Sequence, residues 1–196
     1  MPFELPVAPG ALCGACLRSP PAFERARAVM VYDDLSRRMI LGLKYADRLD
    51  MAPAFAEWLG RAGVALIADA DWIAPVPLHW TRLFRRRFNQ AAELARAVAH
   101  THARGYAPDL LVRRRNTDSQ AGLGAGARRR NVRAAFQVKQ AWRSRIQGKR
   151  VLLIDDVMTT GATVTACARA LSRAGVGAVD VLTLARVARP AGAEDA

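Results

Sequence analysis

The chain has 196 residues, enough for one full domain plus a small appendage, and 52% hydrophobic with 24% charged residues excludes wholesale disorder. No apolar run reaches the roughly 18 residues needed to cross a bilayer, and Met1-Pro2-Phe3-Glu4 lacks the basic-then-apolar pattern of a signal peptide. A cytoplasmic protein with no membrane span is expected. The net charge of +13 is concentrated: residues 1–81 carry −1, residues 82–133 carry +10, residues 134–150 carry +5 and the remainder −1. A central basic band suits a polyanion, be it a phosphate ester, a pyrophosphate or a nucleic-acid backbone. Of the 30 basic residues 27 are arginine, so coding bias is a second source of the excess.

In chain order, residues 1–28 are rich in Pro, Gly, Ala and Arg and read as an irregular N-terminal module carrying Cys13-Gly14-Ala15-Cys16. Residues 29–190 read as the main domain and 191–196 as a frayed tail. A short strand is expected at 29–32, then a helix at 37–44 capped by Ser36, and a second short helix at 53–62. Trp72-Ile73-Ala74-Pro75-Val76-Pro77 reads as a strand whose end is fixed by two prolines. Residues 89–102 form a helix with Ala92, Leu94, Ala95, Val98 and Ala99 on a broad apolar face. A strand at 110–112 precedes a polar, glycine-bearing stretch over 113–133, a length of loop that is usually functional or disordered.

Val151-Leu152-Leu153-Ile154 has the continuous apolar character of a strand buried on both faces of a parallel sheet. A helix follows over 163–174 and stops at Gly175, and a strand closes the unit over 179–184. Strand, helix, strand at this spacing is a βαβ unit, so the expected fold is α/β: a mostly parallel twisted sheet with helices on both faces.

The junction of that strand and helix carries the chemistry. Asp155-Asp156-Val157-Met158-Thr159-Thr160-Gly161-Ala162-Thr163 sets two acids before a short Thr-Thr-Gly loop and a helix start. Ligands of open α/β sheets bind beyond the carboxyl ends of strands, where loop N–H groups and a helix N-terminus favour an anion. Threonine hydroxyls add donors, and glycine lets the backbone come close. Two carboxylates would repel a phosphate, so Asp155 and Asp156 suit sugar hydroxyls or a water-bridged Mg²⁺. A phosphate at one end and vicinal hydroxyls at the other describe ribose 5-phosphate. The alternative is that one acid caps the next turn while the other faces solvent. The rival phosphate motif, Gly-x4-Gly-Lys-Ser/Thr, is absent.

Residues 151–163 resemble the phosphoribosyl-pyrophosphate signature of type I phosphoribosyltransferases. The resemblance implies that Asp155 and Asp156 hold the ribose, that Thr159, Thr160, Gly161, Ala162 and Thr163, with Val157 just before them, form the 5-phosphate site, and that Mg²⁺ accompanies the ligand. Further runs resemble the ComF competence-protein family: Cys13-x2-Cys16-Leu17, Pro20-Pro21-x-Phe23, Lys44-Tyr45, Pro75-Val76-Pro77-Leu78-His79, Arg82-Leu83, Arg86-x-Phe88-Asn89-Gln90, Thr117-x2-Gln120-x-Gly122-Leu123 and Arg128-x2-Asn131-Val132-x2-Ala135-Phe136. Together they cover residues 12–187. By resemblance Pro77, Leu78 and His79 occupy the pyrophosphate loop, with Arg82, Arg86 and Lys44 as further anion-binding candidates. Arg82 and Arg86 are equally readable as solvated surface charges, Lys44 more readily as a snorkelling surface lysine, and Asn89 and Gln90 as helix caps or ligand contacts. The stretch holding Gln120, Gly122, Arg128 and Asn131 resembles a flap that closes over the reaction centre.

Two departures stand out. The family has glycine where this chain has Arg87, and it carries two Cys-x2-Cys pairs for zinc where this chain has only Cys13 and Cys16. Structural zinc wants four ligands, so zinc binding by this chain alone is not expected. Three functions follow as expectations: phosphoribosyl transfer from phosphoribosyl pyrophosphate, a sensing module linked to DNA uptake through competence or recombination partners, and backbone-driven single-stranded DNA binding through the band at 82–150.

Overall fold

Val151, Leu152, Leu153 and Ile154 are all fully buried, and a strand apolar on both faces is stable only with cover on both. The computed structural model describes residues 17, 20–45, 51–78, 88–113 and 135–188. Its elements in chain order are β1 (Arg25–Val31), α1 (Asp34–Tyr45), α2 (Ala52–Ala62), α3 (Val64–Asp69), β2 (Trp72–Pro75), α4 (Gln90–Thr101), β3 (Gly105–Tyr106), β4 (Leu111–Arg113), β5 (Phe136–Val138), a 3-10 turn (Gln140–Trp142), β6 (Arg150–Met158), α5 (Ala162–Arg173) and β7 (Ala178–Arg186). Five strands form one sheet in the order β1-β7-β6-β2-β3. Every neighbouring pair in it is parallel, while β4 and β5 make a separate antiparallel ladder.

The cover has two sides. Leu152 and Ile154 pack with Ile40 of α1, Phe55 and Leu59 of α2, Ile67 of α3 and Leu94 and Val98 of α4. Val151 and Leu153 pack with Val164, Cys167 and Leu171 of α5, and with Phe136, Val138 and Trp142 from β5 and the turn after it. Alternation along β6 thus feeds both cores, and each buried branched side chain contributes roughly 1.5–3 kcal/mol. This is the α/β architecture expected from the sequence.

Local boundaries differ in informative ways. β1 begins at Arg25 rather than 29, because Arg25, Ala26, Arg27 and Ala28 already pair with Asp180, Val181, Leu182 and Thr183. Residues 25–28, assigned above to the N-terminal module, therefore belong to the sheet. The cap of α1 is Asp33 rather than Ser36: the Ser36 N–H donates to Asp33 Oδ1 at 2.8 Å and the Asp33 N–H donates to Ser36 Oγ at 2.8 Å. That reciprocal pair satisfies two donors at the helix start. β2 ends at Pro75, two residues early, and α3, β3 and β5 are additions to the expected set.

The amino-terminal end of the sheet is locked by charge. Asp180, fully buried, accepts from Arg25 Nη2 at 2.6 Å and Nε at 3.1 Å and from Arg150 Nη1 at 3.1 Å. Arg25 also reaches Asp69 at 2.8 Å and Arg150 reaches Glu24 at 2.9 Å. These pairs join β1, β7 and β6, and they lie at the end opposite the acid pair.

Candidate phosphoribosyl site

Chain direction sets where a ligand can sit. From β2 the chain crosses through α4 to β3, and from β6 it crosses through α5 to β7 on the other side. β2 and β6 are neighbours, so the strand order reverses between them, and the crevice at their carboxyl ends is the switch point where open α/β sheets bind ligands.

On the β6 side the strand runs on to Met158, paired with Arg186. The acids are thus inside the ladder rather than just beyond a strand ending at Ile154. Both are half-buried, and Asp155 Oδ1 accepts the Asp156 N–H at 2.9 Å. Val157 packs with the α1–α4 core and Met158 with the α5 core, the reverse of what alternation from Leu153 and Ile154 gives.

After Met158 the chain turns through Thr159, Thr160 and Gly161 into α5. Gly161 has φ 76° and ψ 3°, a left-handed conformation that glycine adopts without steric cost. The Ala162 N–H donates to Thr160 Oγ1 at 3.4 Å, which tightens the turn. Asp155, Val157, Met158 and residues 159–164 line a small open hollow. Its floor is the start of α5, where outward N–H groups and the helix dipole favour an anion.

Across the switch point, Pro75 pairs with Ile154 and the Val76 N–H donates to the Ile154 carbonyl at 2.9 Å. Residues 76–78 thus leave the sheet beside Asp155 and Asp156. Asn89 fixes this segment from behind. Its Nδ2 donates to the Val76 carbonyl at 3.2 Å while its Oδ1 accepts the Ala91 N–H at 3.1 Å as the N-cap of α4. Of the two readings of Asn89, capping is the one observed.

A third piece comes from the β4–β5 ladder, where Arg113 is paired with Phe136 and its guanidinium lies 5.5 Å over the Phe136 ring. Burial pushes the Cys167 thiol well above its ordinary range; the Asp155 charge adds to that and Arg113 opposes it. Phe136 packs in the α5 core, so Arg113 lies on the side of the sheet where Asp155 lines the hollow with the start of α5. Sequence reasoning passed over it because it stands first in the run Arg113-Arg114-Arg115, where nothing marks one arginine as inward.

A phosphoribosyl transferase domain profile matches residues 91–196, just over half of the chain. "DNA utilization protein YhgH" of Salmonella typhimurium is 34% identical over 189 residues, covering 93% of this chain and 81% of that one. "Competence protein F" of Haemophilus influenzae is 29% identical over 183 residues, covering 89% of this chain and 78% of its own. The chain belongs to the ComF family of phosphoribosyltransferase-domain proteins. Among solved structures, an allosteric regulatory enzyme of purine biosynthesis is similar with a TM-score of 0.47 and 19% identity, over 74% of this chain and 30% of that enzyme.

Within this ComF-family fold, Asp155, Val157, Thr159, Thr160, Gly161, Ala162 and Thr163 are brought together at one hollow; Asp156, next along the strand, is not among its lining residues. Pro77 and Leu78 stand across the switch point, and Lys44 lies near the end of α1. His79, Arg82, Arg86, Gln120, Gly122, Arg128, Asn131, Cys13 and Cys16 fall outside the described residues. Among the described residues no group of three or more His, Cys, Asp or Glu could hold a metal ion, and none of their helices is long and apolar enough to cross a membrane.

Much of the described basic band is already engaged. Lys139 pairs with Asp109 at 2.6 Å, Lys149 with Asp71 at 3.2 Å, and Arg150 with Glu24 and Asp180. Arg145 stacks over Trp142 at 4.4 Å and Trp72 at 4.9 Å. Four of the five basic residues in 134–150 thus have partners within the fold, the exposed pairs among them adding little stability.

Proposed function

We propose that this ComF-family protein binds phosphoribosyl pyrophosphate or a closely related phosphoribosyl ligand and serves DNA uptake, in keeping with relatives named for DNA utilization and for competence. The observation that carries the reading is the adjacency of residues 76–78 to Asp155 across the β2–β6 switch point, with the Thr159–Gly161 turn on the far side. A cup for a monophosphate, carboxylates for vicinal hydroxyls and a second loop facing them match the three parts of such a ligand in order. In this reading the start of α5 and the threonine hydroxyls hold the 5-phosphate. Asp155 and Asp156 accept from the ribose hydroxyls, and residues 76–78 face the diphosphate.

The donor set fits Mg²⁺ of a particular kind. Two adjacent carboxylates are hard oxygen donors, too few for an all-protein cage but suited to an ion carried in on the diphosphate. When bound, the ion would neutralise charge on the departing pyrophosphate. The chain's own residues orient the ribose so that C1 faces a nitrogen nucleophile. A C–N bond forms there, the C–O bond to pyrophosphate breaks, and the nucleophile's proton passes to solvent.

Titration calorimetry with phosphoribosyl pyrophosphate, ribose 5-phosphate and inorganic phosphate, each with Mg²⁺, tests the reading. Affinity should fall in that order, and equal weak binding of all three would refute it. Incubating isotope-labelled phosphoribosyl pyrophosphate with a panel of bases and amines then tests turnover. Product beyond one equivalent marks an enzyme, and tight binding with no product marks a sensing module.

A further inference from the structure

Gln90 opens α4, and its side chain is out of keeping with its surroundings. The residue is 1% exposed, and its Nε2 has no hydrogen-bond partner among the described residues. Buried amides are nearly always satisfied, so an idle donor calls for a partner that the described residues do not supply. Its neighbour cannot be the source of the anomaly, because both polar atoms of Asn89 are committed.

Position says what that partner is. Gln90, Leu94 and Val98 fall on one stripe of α4 at helical spacing, and all three are buried. The stripe packs over β2 and β6, with Leu94 and Val98 in the same core as Ile73 and Ile154. Gln90 is thus the polar end of an apolar row, at the carboxyl-terminal end of those strands. One residue away, Asn89 is tied to the Val76 carbonyl, and Val76 is tied to Ile154 just before the acids. The 5-phosphate cup lies on the α5 side of β6, so a ligand with its phosphate there and its hydroxyls on the acids extends its far end toward β2 and α4.

We propose that the Gln90 side-chain amide is a further binding group of this site, donating to a diphosphate oxygen of the phosphoribosyl ligand at the end of β2. The inference rests on the phosphoribosyl reading above and deepens it by assigning a residue that discriminates diphosphate from free hydroxyl at C1. A neutral amide donor suits this place, because it can hold an anionic oxygen without the desolvation cost of a buried cation.

Gln90→Leu tests it, with phosphoribosyl pyrophosphate and ribose 5-phosphate titrated in the presence of Mg²⁺ and thermal unfolding followed in parallel. Loss of one hydrogen bond to a charged group should weaken the diphosphate ligand about tenfold, with ribose 5-phosphate changed less than about twofold. The ligand-free variant should unfold at the same temperature or higher, since an unsatisfied amide has been replaced by an apolar group. Gln90→Glu, which sets a charge against the diphosphate, should weaken it further. Unchanged diphosphate affinity in Gln90→Leu would overturn the proposal alone. So would parallel loss of both ligands with a lowered unfolding temperature, which marks a packing role. Failure of the wild type to bind either ligand would remove the phosphoribosyl reading itself, and this assignment with it.

Discussion

The Val76 backbone N–H donates to the Ile154 carbonyl at 2.9 Å, one residue before Asp155. This bond sets the end of β2 level with the acid pair on β6, and Asn89 holds the same segment from α4. Asn89→Ala should therefore have two effects. Loss of the cap should cost about 1 kcal/mol in chemical denaturation, and ligand affinity should fall because residues 76–78 lose their tether. Asn89→Asp, which keeps the cap acceptor but not the donor to Val76, should retain most of the stability while still losing affinity.

Gly161 makes a separate prediction. Its φ of 76° is left-handed, and a Cβ there would meet nothing closer than 3.9 Å. Conformation rather than space demands glycine. Gly161→Ala should cost roughly 1–2 kcal/mol of stability and distort the phosphate turn, whereas Gly161→Asn should be better tolerated. Denaturation curves of the two variants side by side check this.

The βαβ unit around the phosphate turn was legible because its signals are local. Val151 to Ile154 is apolar without interruption, the acids and Thr-Thr-Gly follow at once, and α5 starts within one residue of the expected position. Asp33 caps α1 where Ser36 is expected, because both are capping residue types three apart and only geometry shows which leads. Arg25 to Ala28 looked irregular because the residues that order them, Asp180 to Thr183, lie far along the chain. Gln90 could be named but not weighed, since a missing partner is a fact of three dimensions. The partners of the last part of the basic band are not visible in the sequence, because Lys149 and Arg150 find acids distant along the chain at Asp71, Glu24 and Asp180.

Asp180 anchors the end of the sheet away from the site. Removing its charge in Asp180→Asn leaves Arg25 and Arg150 short of their buried partner, and unfolding free energy should fall by roughly 3 kcal/mol. Ligand affinity of the folded variant should match the wild type. Loss of binding at conditions where the variant is folded would show that the two ends of the sheet are coupled.

Acid stability follows from three surface carboxylates, of which Asp33 is held below its usual range by the Ser36 backbone N–H and then its hydroxyl. The Arg150 backbone N–H, chiefly, holds the Asp71 carboxyl below its usual range. Lys139, then Trp142, does the same for Asp109. A carboxyl with a depressed folded pKa stabilises above its unfolded value, and that stabilisation is lost as pH falls through the folded one. Stability should thus be level near neutrality and decline below about pH 4. Asp109→Asn should flatten that decline, which unfolding titrations between neutral and acid pH would measure.

The central claim is that Asp155 and Asp156 hold the ribose of a phosphoribosyl ligand. Calorimetric titration of phosphoribosyl pyrophosphate with Mg²⁺ into the wild type, Asp155→Asn and Asp156→Asn tests it most directly. Binding by the wild type and a loss of at least about tenfold in each variant is the predicted result; unchanged affinity in both folded variants would contradict it.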